Sequence, residues 1–307
     1  MTHWHILGPG AVGCLMAALL DKNGIKVTLI GRENSTGFQT LHYQSPAPNS
    51  TTSTIQVEYT TTAQLNTPMD VLLICTKSHS TKQPVEALSS HITAHTTLVL
   101  LQNGLGNHEW LAQRFPENPI VLGSISHGVM KIARDKIQHT GLGTCQLGSY
   151  GQLKVSQESI APLPDDDEDW GMSWQDNILQ ALWYKLGVNA AINPLTVIYD
   201  CKNGELLDGA EREARMEQLA WEVESLMGYF DITPPTDGLI GLVKQVAKRT
   251  ASNSSSMRED SRAGRITEIE DINGYVMRKA QEAGLNCPAN AEVLETLQHW
   301  QDEKRDD

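Results

Sequence analysis

Short apolar runs recur through the first half of this 307-residue chain, and segments with helical spacing separate several of them. Residues 3–7, 26–30, 71–75, 97–101 and 120–123 each predict a strand buried on both faces, because their apolar side chains run on instead of alternating. Residues 12–22, ended by Gly24, and 84–92 carry helical spacing. Strand–helix alternation of this kind predicts a parallel, doubly wound sheet. The Ser-, Thr- and Pro-rich stretch 42–68 predicts short strands and loops in place of a crossover helix. Alternation over 131–150, broken by Gly141 and Gly143, predicts antiparallel strands added at the sheet edge. After Gln175 the pattern turns helical, including 211–229, 239–251 and 268–283. The fold class expected is therefore α/β: a Rossmann-type doubly wound sheet over 1–175, then an all-α domain over 176–307.

The run from Ile6 to Leu20 is apolar enough to suggest a signal peptide. No basic segment precedes it, however, and Gly8, Pro9, Gly10 and Gly13 interrupt it. It is also too short to span a bilayer as a helix, so it reads as interior structure, with no export or membrane anchoring expected. The net charge of −13 argues against nucleic-acid binding, which needs a basic face to release phosphate counterions. An anionic small ligand stays open, because a pocket's local potential can oppose the global sign. Five cysteines stand singly, without metal-ligand spacing, which favours reduced thiols in a cytoplasmic protein. The acidic run 165–169, following Pro162 and Pro164, reads as a solvated loop near the domain boundary. The ten histidines form no HExxH pattern; His127 reads as a pocket-wall or loop residue, and no metal is expected.

Gly8-Pro9-Gly10-Ala11-Val12-Gly13 follows the first strand and opens the first helix. In a G-x-G-x-x-G turn the first glycine allows the tight turn and the second lets a pyrophosphate approach the backbone. The third lets helix and strand pack closely, and free N–H groups at the helix start face the phosphates. The second strand ends Ile30-Gly31-Arg32-Glu33. Arg32 sits where a guanidinium could pair with a ribose 2′-phosphate, which favours NADP. A shift of one residue would instead put Glu33 on the ribose, the NAD arrangement. Lys77 and Asn103 follow the third and fourth buried strands, on the side where ligands of open α/β sheets bind, and are candidates for contact with cofactor or substrate.

Lys185, Asn189 and Asn193 are spaced i, i+4, i+8, so on one helix they share a face. Apolar neighbours flank them. A polar stripe facing water, or one capping a turn at Pro194, is the alternative this spacing leaves open. The stretch Trp183 to Thr196, WYKLGVNAAINPLT, resembles the signature helix of the ketopantoate reductase family. So do Ser254-Ser255-Ser256-Met257-Arg258-Glu259-Asp260 and Thr267-Glu268-Ile269-Glu270-Asp271-Ile272-Asn273-Gly274. The GPGAVG turn, the CTK segment and the LQNGLG loop fall in the family's order, so the resemblance runs from about His3 to Asn290.

That resemblance implies NADPH-dependent reduction of ketopantoate to pantoate in pantothenate synthesis. It also implies an all-α second domain like the C-terminal domain of 6-phosphogluconate dehydrogenase. By resemblance Lys185 is the catalytic lysine and Glu268 the active-site glutamate. Asn189, Asn193, Asn253 and Ser256 bind the 2-oxo acid, and Lys77 and Asn103 lie near the nicotinamide. The residues leave open whether Glu268 bonds the substrate hydroxyl, the nicotinamide ribose or Lys185. Two further readings stay open: a paralogous NADP-dependent reductase of another small oxo acid, and a non-catalytic NADP(H) sensor. The expected partner is a small 2-oxo acid, with the chain a monomer or homodimer.

Overall fold

The computed structural model describes residues 2–32, 36–46, 52–160 and 171–306. Glu33 and the acidic run 165–169 lie outside the described residues. The chain divides into two compact units, one of residues 1–102 and 107–178, the other of 103–106 and 179–307.

The first unit opens with β1 (His3–Leu7), α1 (Ala11–Lys22), β2 (Lys26–Gly31), β3 (Gly37–Gln44), β4 (Thr52–Thr61) and β5 (Val71–Ile74). It continues with α2 (Lys82–Ala87), β6 (Thr97–Leu101), α3 (Asn107–Arg114), β7 (Ile120–Ile125), β8 (Gly128–Ala133), β9 (Lys136–Gly141), β10 (Cys145–Tyr150) and β11 (Met172–Trp174). Among the described residues the strands form one sheet, ordered β11-β10-β7-β6-β5-β1-β2-β4-β3-β9-β8. Its centre, β7-β6-β5-β1-β2-β4, is parallel throughout, as the uninterrupted apolar runs predict. The apolar run 6–20 is the end of β1 and most of α1, and α1 is buried continuously from Gly13 to Leu20; a helix apolar all round belongs in a core.

The described residues of 42–68 hold strand and turn, with no crossover helix, as expected, although β3 and β4 are long and pair antiparallel. β4 then pairs in parallel with β2. The alternating stretch 131–150 does not stay together at one edge. The hairpin β8–β9 joins β3, whereas β10 pairs antiparallel with β7 at the other side. Burial accounts for the split: β10 buries Cys145, Leu147 and Gly148 against its neighbours, while β8 is half-buried or exposed throughout. The five cysteines are free thiols. Among the described residues no helix is long and apolar enough to cross a membrane.

The second unit is helical: α4 (Ile178–Ile198), α5 (Ala210–Met227), α6 (Gly238–Arg249), α7 (Ser256–Arg262), α8 (Ile269–Ala283) and α9 (Pro288–Asp306). The possibility of a turn capped at Pro194 is not realised, because α4 runs through that proline to Ile198. Proline brings no N–H, so the carbonyl four residues back, on Ala190, loses its helical donor. Asn273 of α8 replaces it, its Nδ2 donating to Ala190 O at 3.1 Å. The same Nδ2 donates to Asn290 Oδ1 at 2.9 Å. Asn290 Nδ2 in turn donates to Glu222 Oε2 at 2.7 Å. Glu222, 1% exposed, accepts as well from the N–H groups of Ala289 and Asn290 at the start of α9, where a carboxylate also suits the helix dipole.

Two consequences can be measured. Asn273→Ala leaves the Ala190 carbonyl and Asn290 Oδ1 without this donor, and should lower unfolding free energy by about 2–4 kcal/mol in denaturant titration. In a Pro194→Ala background the restored N–H should cut that loss by about 1 kcal/mol or more; equal losses in both backgrounds would show that the proline has no part in it.

In the middle of β1, His5 is 1% exposed, and its Nδ1 has no hydrogen-bond partner among the described residues. Burial, then the charge of His3, whose tilted ring lies 4.2 Å away, hold its pKa down at about 4. Below about pH 6.5 the unfolded chain takes up a proton that the folded chain refuses until about pH 4. Stability should therefore rise with pH across that window, by roughly 2–3 kcal/mol. In His5→Leu that part of the slope should vanish; an unchanged slope would exclude His5 as its source.

Candidate active site

In the first unit the fingerprint turn sits between the ends of two strands that flank β1. Gly8 N–H donates to Ile30 O at 3.1 Å, and Cys75 N–H donates to Leu7 O at 2.8 Å. Gly8 has φ +97, and a Cβ there would stand 2.8 Å from the backbone nitrogen of Thr76. A Cβ on Gly13 would collide with the Gly8 carbonyl, while one on Gly10 meets nothing within 4 Å. The turn is thus closed where helix meets strand and open at Gly10, where a ligand must come close. Pro9, Ala11 and Val12 complete it. No side chain caps α1, and no acidic residue lies in its first turn, so the orphan N–H groups there suit an anion. These features fit a dinucleotide pyrophosphate.

The neighbouring strand tips carry the other expected residues of this unit. Arg32 is exposed at the end of β2, and Lys77 is exposed just beyond β5. The backbone around Lys77 is fixed by buried amides that the apolar pattern gave no reason to single out. Gln102 Nε2 donates to Thr76 O at 2.7 Å and to Thr81 Oγ1 at 2.6 Å. Gln102 Oε1 accepts from Asn107 Nδ2 at 3.0 Å, and the same Nδ2 donates to Ser78 O at 2.9 Å. His127 is buried; its Nδ1 accepts from Gly143 N–H at 3.2 Å and lies 3.0 Å from His139 Nε2. It stands in the short connection between β7 and β8, a loop residue as expected, but one buried against His139.

In the second unit α4 is less buried along Ala181, Tyr184, Lys185, Val188 and Asn189. Lys185 and Asn189 lie on this stripe, and Asn193, 7% exposed, continues it a turn further on. Asn193 is tied to α7 by a chain of hydroxyls. Thr196 Oγ1 donates to Asn193 O at 2.7 Å, which leaves it to accept from Ser255 Oγ at 2.7 Å. Ser255 Oγ accepts in turn from Arg258 N–H at 3.0 Å, as the N-cap of α7. Ser256 is exposed beside that cap, and exposed Asn253 has its carbonyl held by Asn203 N–H at 3.1 Å. Asp200, at φ +45, accepts from Arg262 and Arg258. Those two guanidiniums, Arg262 first, hold its carboxyl down at about 2, an ion cluster joining the end of α4 to α7.

Glu268 is buried just before α8. Its Oε2 accepts from Asn103 Nδ2 at 3.2 Å. Asn103 therefore groups with the helical unit, not with the strand it follows. The rest of its loop is held the same way: Leu105 N–H donates to Asp271 O at 2.9 Å, and a Cβ on Gly104 would strike that carbonyl. Thr196 and Ser255 escape sequence reading alone, although a serine immediately before a helical run is an N-cap signal. Among the described residues no group of three metal-binding side chains comes together.

Residues 4–152 match the family Ketopantoate reductase PanE/ApbA, and residues 177–301 match its C-terminal counterpart. The 2-dehydropantoate 2-reductase of Vibrio cholerae serotype O1 is 33% identical over 294 residues, covering 95% of each chain. This chain belongs to the ketopantoate reductase family. Among solved structures, a PanE/ApbA family ketopantoate reductase from Ralstonia eutropha JMP134 superposes with a TM-score of 0.85 at 23% identity, covering 99% of this chain and 100% of that one. A D-mandelate dehydrogenase solved with NADH and anilino(oxo)acetate matches at TM-score 0.84 and 20% identity, over 99% and 100% of the two chains. The fold is thus shared beyond ketopantoate reductases.

The hydroxyl chain generates a prediction. Thr196→Val removes the hydroxyl that donates to Asn193 O and accepts from Ser255, and should cost about 1–3 kcal/mol of unfolding free energy. Thr196→Ser should recover most of it. Equal losses in the two variants would assign the effect to packing of the methyl group.

Proposed function

We propose that this chain reduces 2-dehydropantoate (ketopantoate) to pantoate with NADPH, a step of pantothenate synthesis, with Lys185 as proton donor. The observation that carries the proposal is the single face of α4 bearing Lys185, Asn189 and Asn193, continued through Pro194 and tied to the Ser255–Ser256 cap. Membership of the family and the 33% identity to the Vibrio cholerae reductase support it.

In this reading residues 1–178, without 103–106, form the cofactor-binding unit, and the helical unit binds the acid. The open face at Gly10 receives the pyrophosphate, Arg32 pairs with the 2′-phosphate, and Lys77 and Asn103 serve the nicotinamide end. When bound, NADPH supplies the hydride that adds to the ketone carbon. Negative charge then builds on the carbonyl oxygen; the Lys185 ammonium stabilises it and transfers its proton there, and the neutral amine regains a proton from solvent. Asn189, Asn193, Asn253 and Ser256 orient the carboxylate and hydroxyl of the substrate, removing rotational freedom before the reaction. Glu268 positions Asn103 through the bond between them. The free thiols suit a cytoplasmic enzyme.

The test follows NADPH consumption with ketopantoate, pyruvate and 2-oxoisovalerate, then with NADH in place of NADPH. Turnover should be strongest with ketopantoate and NADPH. Lys185→Ala should lower kcat by about a thousandfold while NADPH still binds. Tight NADPH binding without turnover of ketopantoate would overturn the substrate; undiminished kcat in Lys185→Ala would overturn the proton donor.

A further inference from the structure

One cation of the first unit reaches the fingerprint turn from far along the chain. Lys131 lies on β8, and Pro9 lies in the turn between β1 and α1. Lys131 Nζ donates to Pro9 O at 2.5 Å and stands 3.8 Å from Cys14 Sγ. The same carbonyl accepts from the Cys14 thiol at 3.5 Å. A lysine on an exposed edge strand ordinarily extends its ammonium into water, where hydration is strongest. This one is half-buried and spends a donor on a neutral carbonyl. The backbone is shaped for it: register irregularities against β9 fall on both sides, between Gly128 and Val129 and between Lys131 and Ala133, and bulges of this kind re-aim a side chain. Its strand neighbours Met130 and Ile132 are exposed on the opposite face, so Lys131 shares the inward face of β8 with Val129, which packs against the core.

We infer that Lys131 is a cofactor-positioning residue, which fixes the Pro9–Gly10 peptide of the phosphate turn and brings a positive charge beside the pyrophosphate. This rests on the reading of the turn as a dinucleotide site. Fixing the Pro9 carbonyl sets the peptide plane leading into Gly10, the position left open for the ligand. The charge adds to that of the helix start, which no acidic side chain in the first turn offsets. Because pyrophosphate is common to both nicotinamide dinucleotides, Lys131 acts on NADPH and NADH equally. Arg32, by contrast, acts on the 2′-phosphate.

The test measures NADPH and NADH dissociation constants by titration of the full-length protein, beside kcat and the thermal midpoint. Lys131→Met should weaken both dinucleotides by the same factor, about tenfold. Their affinity ratio and kcat at saturating NADPH should not move. Lys131→Gln, which keeps a donor but no charge, should fall between, and Lys131→Arg should restore most of the affinity. The wild type should also lose affinity with added salt more steeply than Lys131→Met. Unchanged affinities in Lys131→Met overturn the inference, as does a loss confined to NADPH. A loss in the Met, Gln and Arg variants alike, with a lowered thermal midpoint, assigns Lys131 a purely structural role and overturns it too. A wild-type protein that binds neither dinucleotide defeats the reading of the turn itself, whereas failure of Lys131 alone leaves wild-type binding intact.

Discussion

A carbonyl deprived of its helical donor is the weak point of the helical unit, and the amide of Asn273 is what secures it. Pro194 interrupts the ladder of α4 at Ala190, between Asn189 and Asn193. If the helix ended there, Asn193 would leave the line set by Lys185 and Asn189. The repair is indirect, for Asn273 is held by Asn290 and Asn290 by the buried carboxylate of Glu222. One acidic side chain thus serves the start of α9 and, through two amides, the straight run of α4. Buried polar groups are costly unless paired, and this chain of donors and acceptors links four helices, α4, α8, α9 and α5.

The sheet unit uses the same device on a smaller scale. Gln102 and Asn107 flank the loop 103–106, and their amides bind the backbone just past β5. Backbone there has left the ladder but is not yet in a helix, so side chains must satisfy it. Both units therefore present their candidate binding residues next to elements that end or break, and in both the break is closed by Asn, Gln, Ser or Thr rather than by apolar packing.

The sheet was legible because β1, β2, β5, β6 and β7 are covered on both faces and so read as unbroken apolar runs. The phosphate turn was legible because Gly8 and Gly13 are required by close local contacts, while Gly10 leaves open the place where a ligand approaches. Lys185, Asn189 and Asn193 could be placed on one face by spacing alone, but whether that face survived Pro194 could not, since the answer lies 83 residues away in Asn273. Lys131 was invisible for the same reason: its partner is 122 residues distant and is a backbone carbonyl, which has no sequence identity to recognise. The fate of 131–150 also escaped local reading, because alternation shows that a segment is a strand without showing which edge will accept it.

The loop 103–106 has a consequence for how the protein is made. It is translated in the midst of the sheet unit, yet the carboxylate that fixes Asn103 comes 165 residues later. Contacts so distant in sequence are slow to form, and during vectorial synthesis this one has to wait for nearly the whole chain. The sheet can close around Gln102 and Asn107 long before then. The nascent chain thus carries a candidate cofactor-contacting amide without its partner until the last helices emerge, and completion of the site is coupled to completion of the polypeptide.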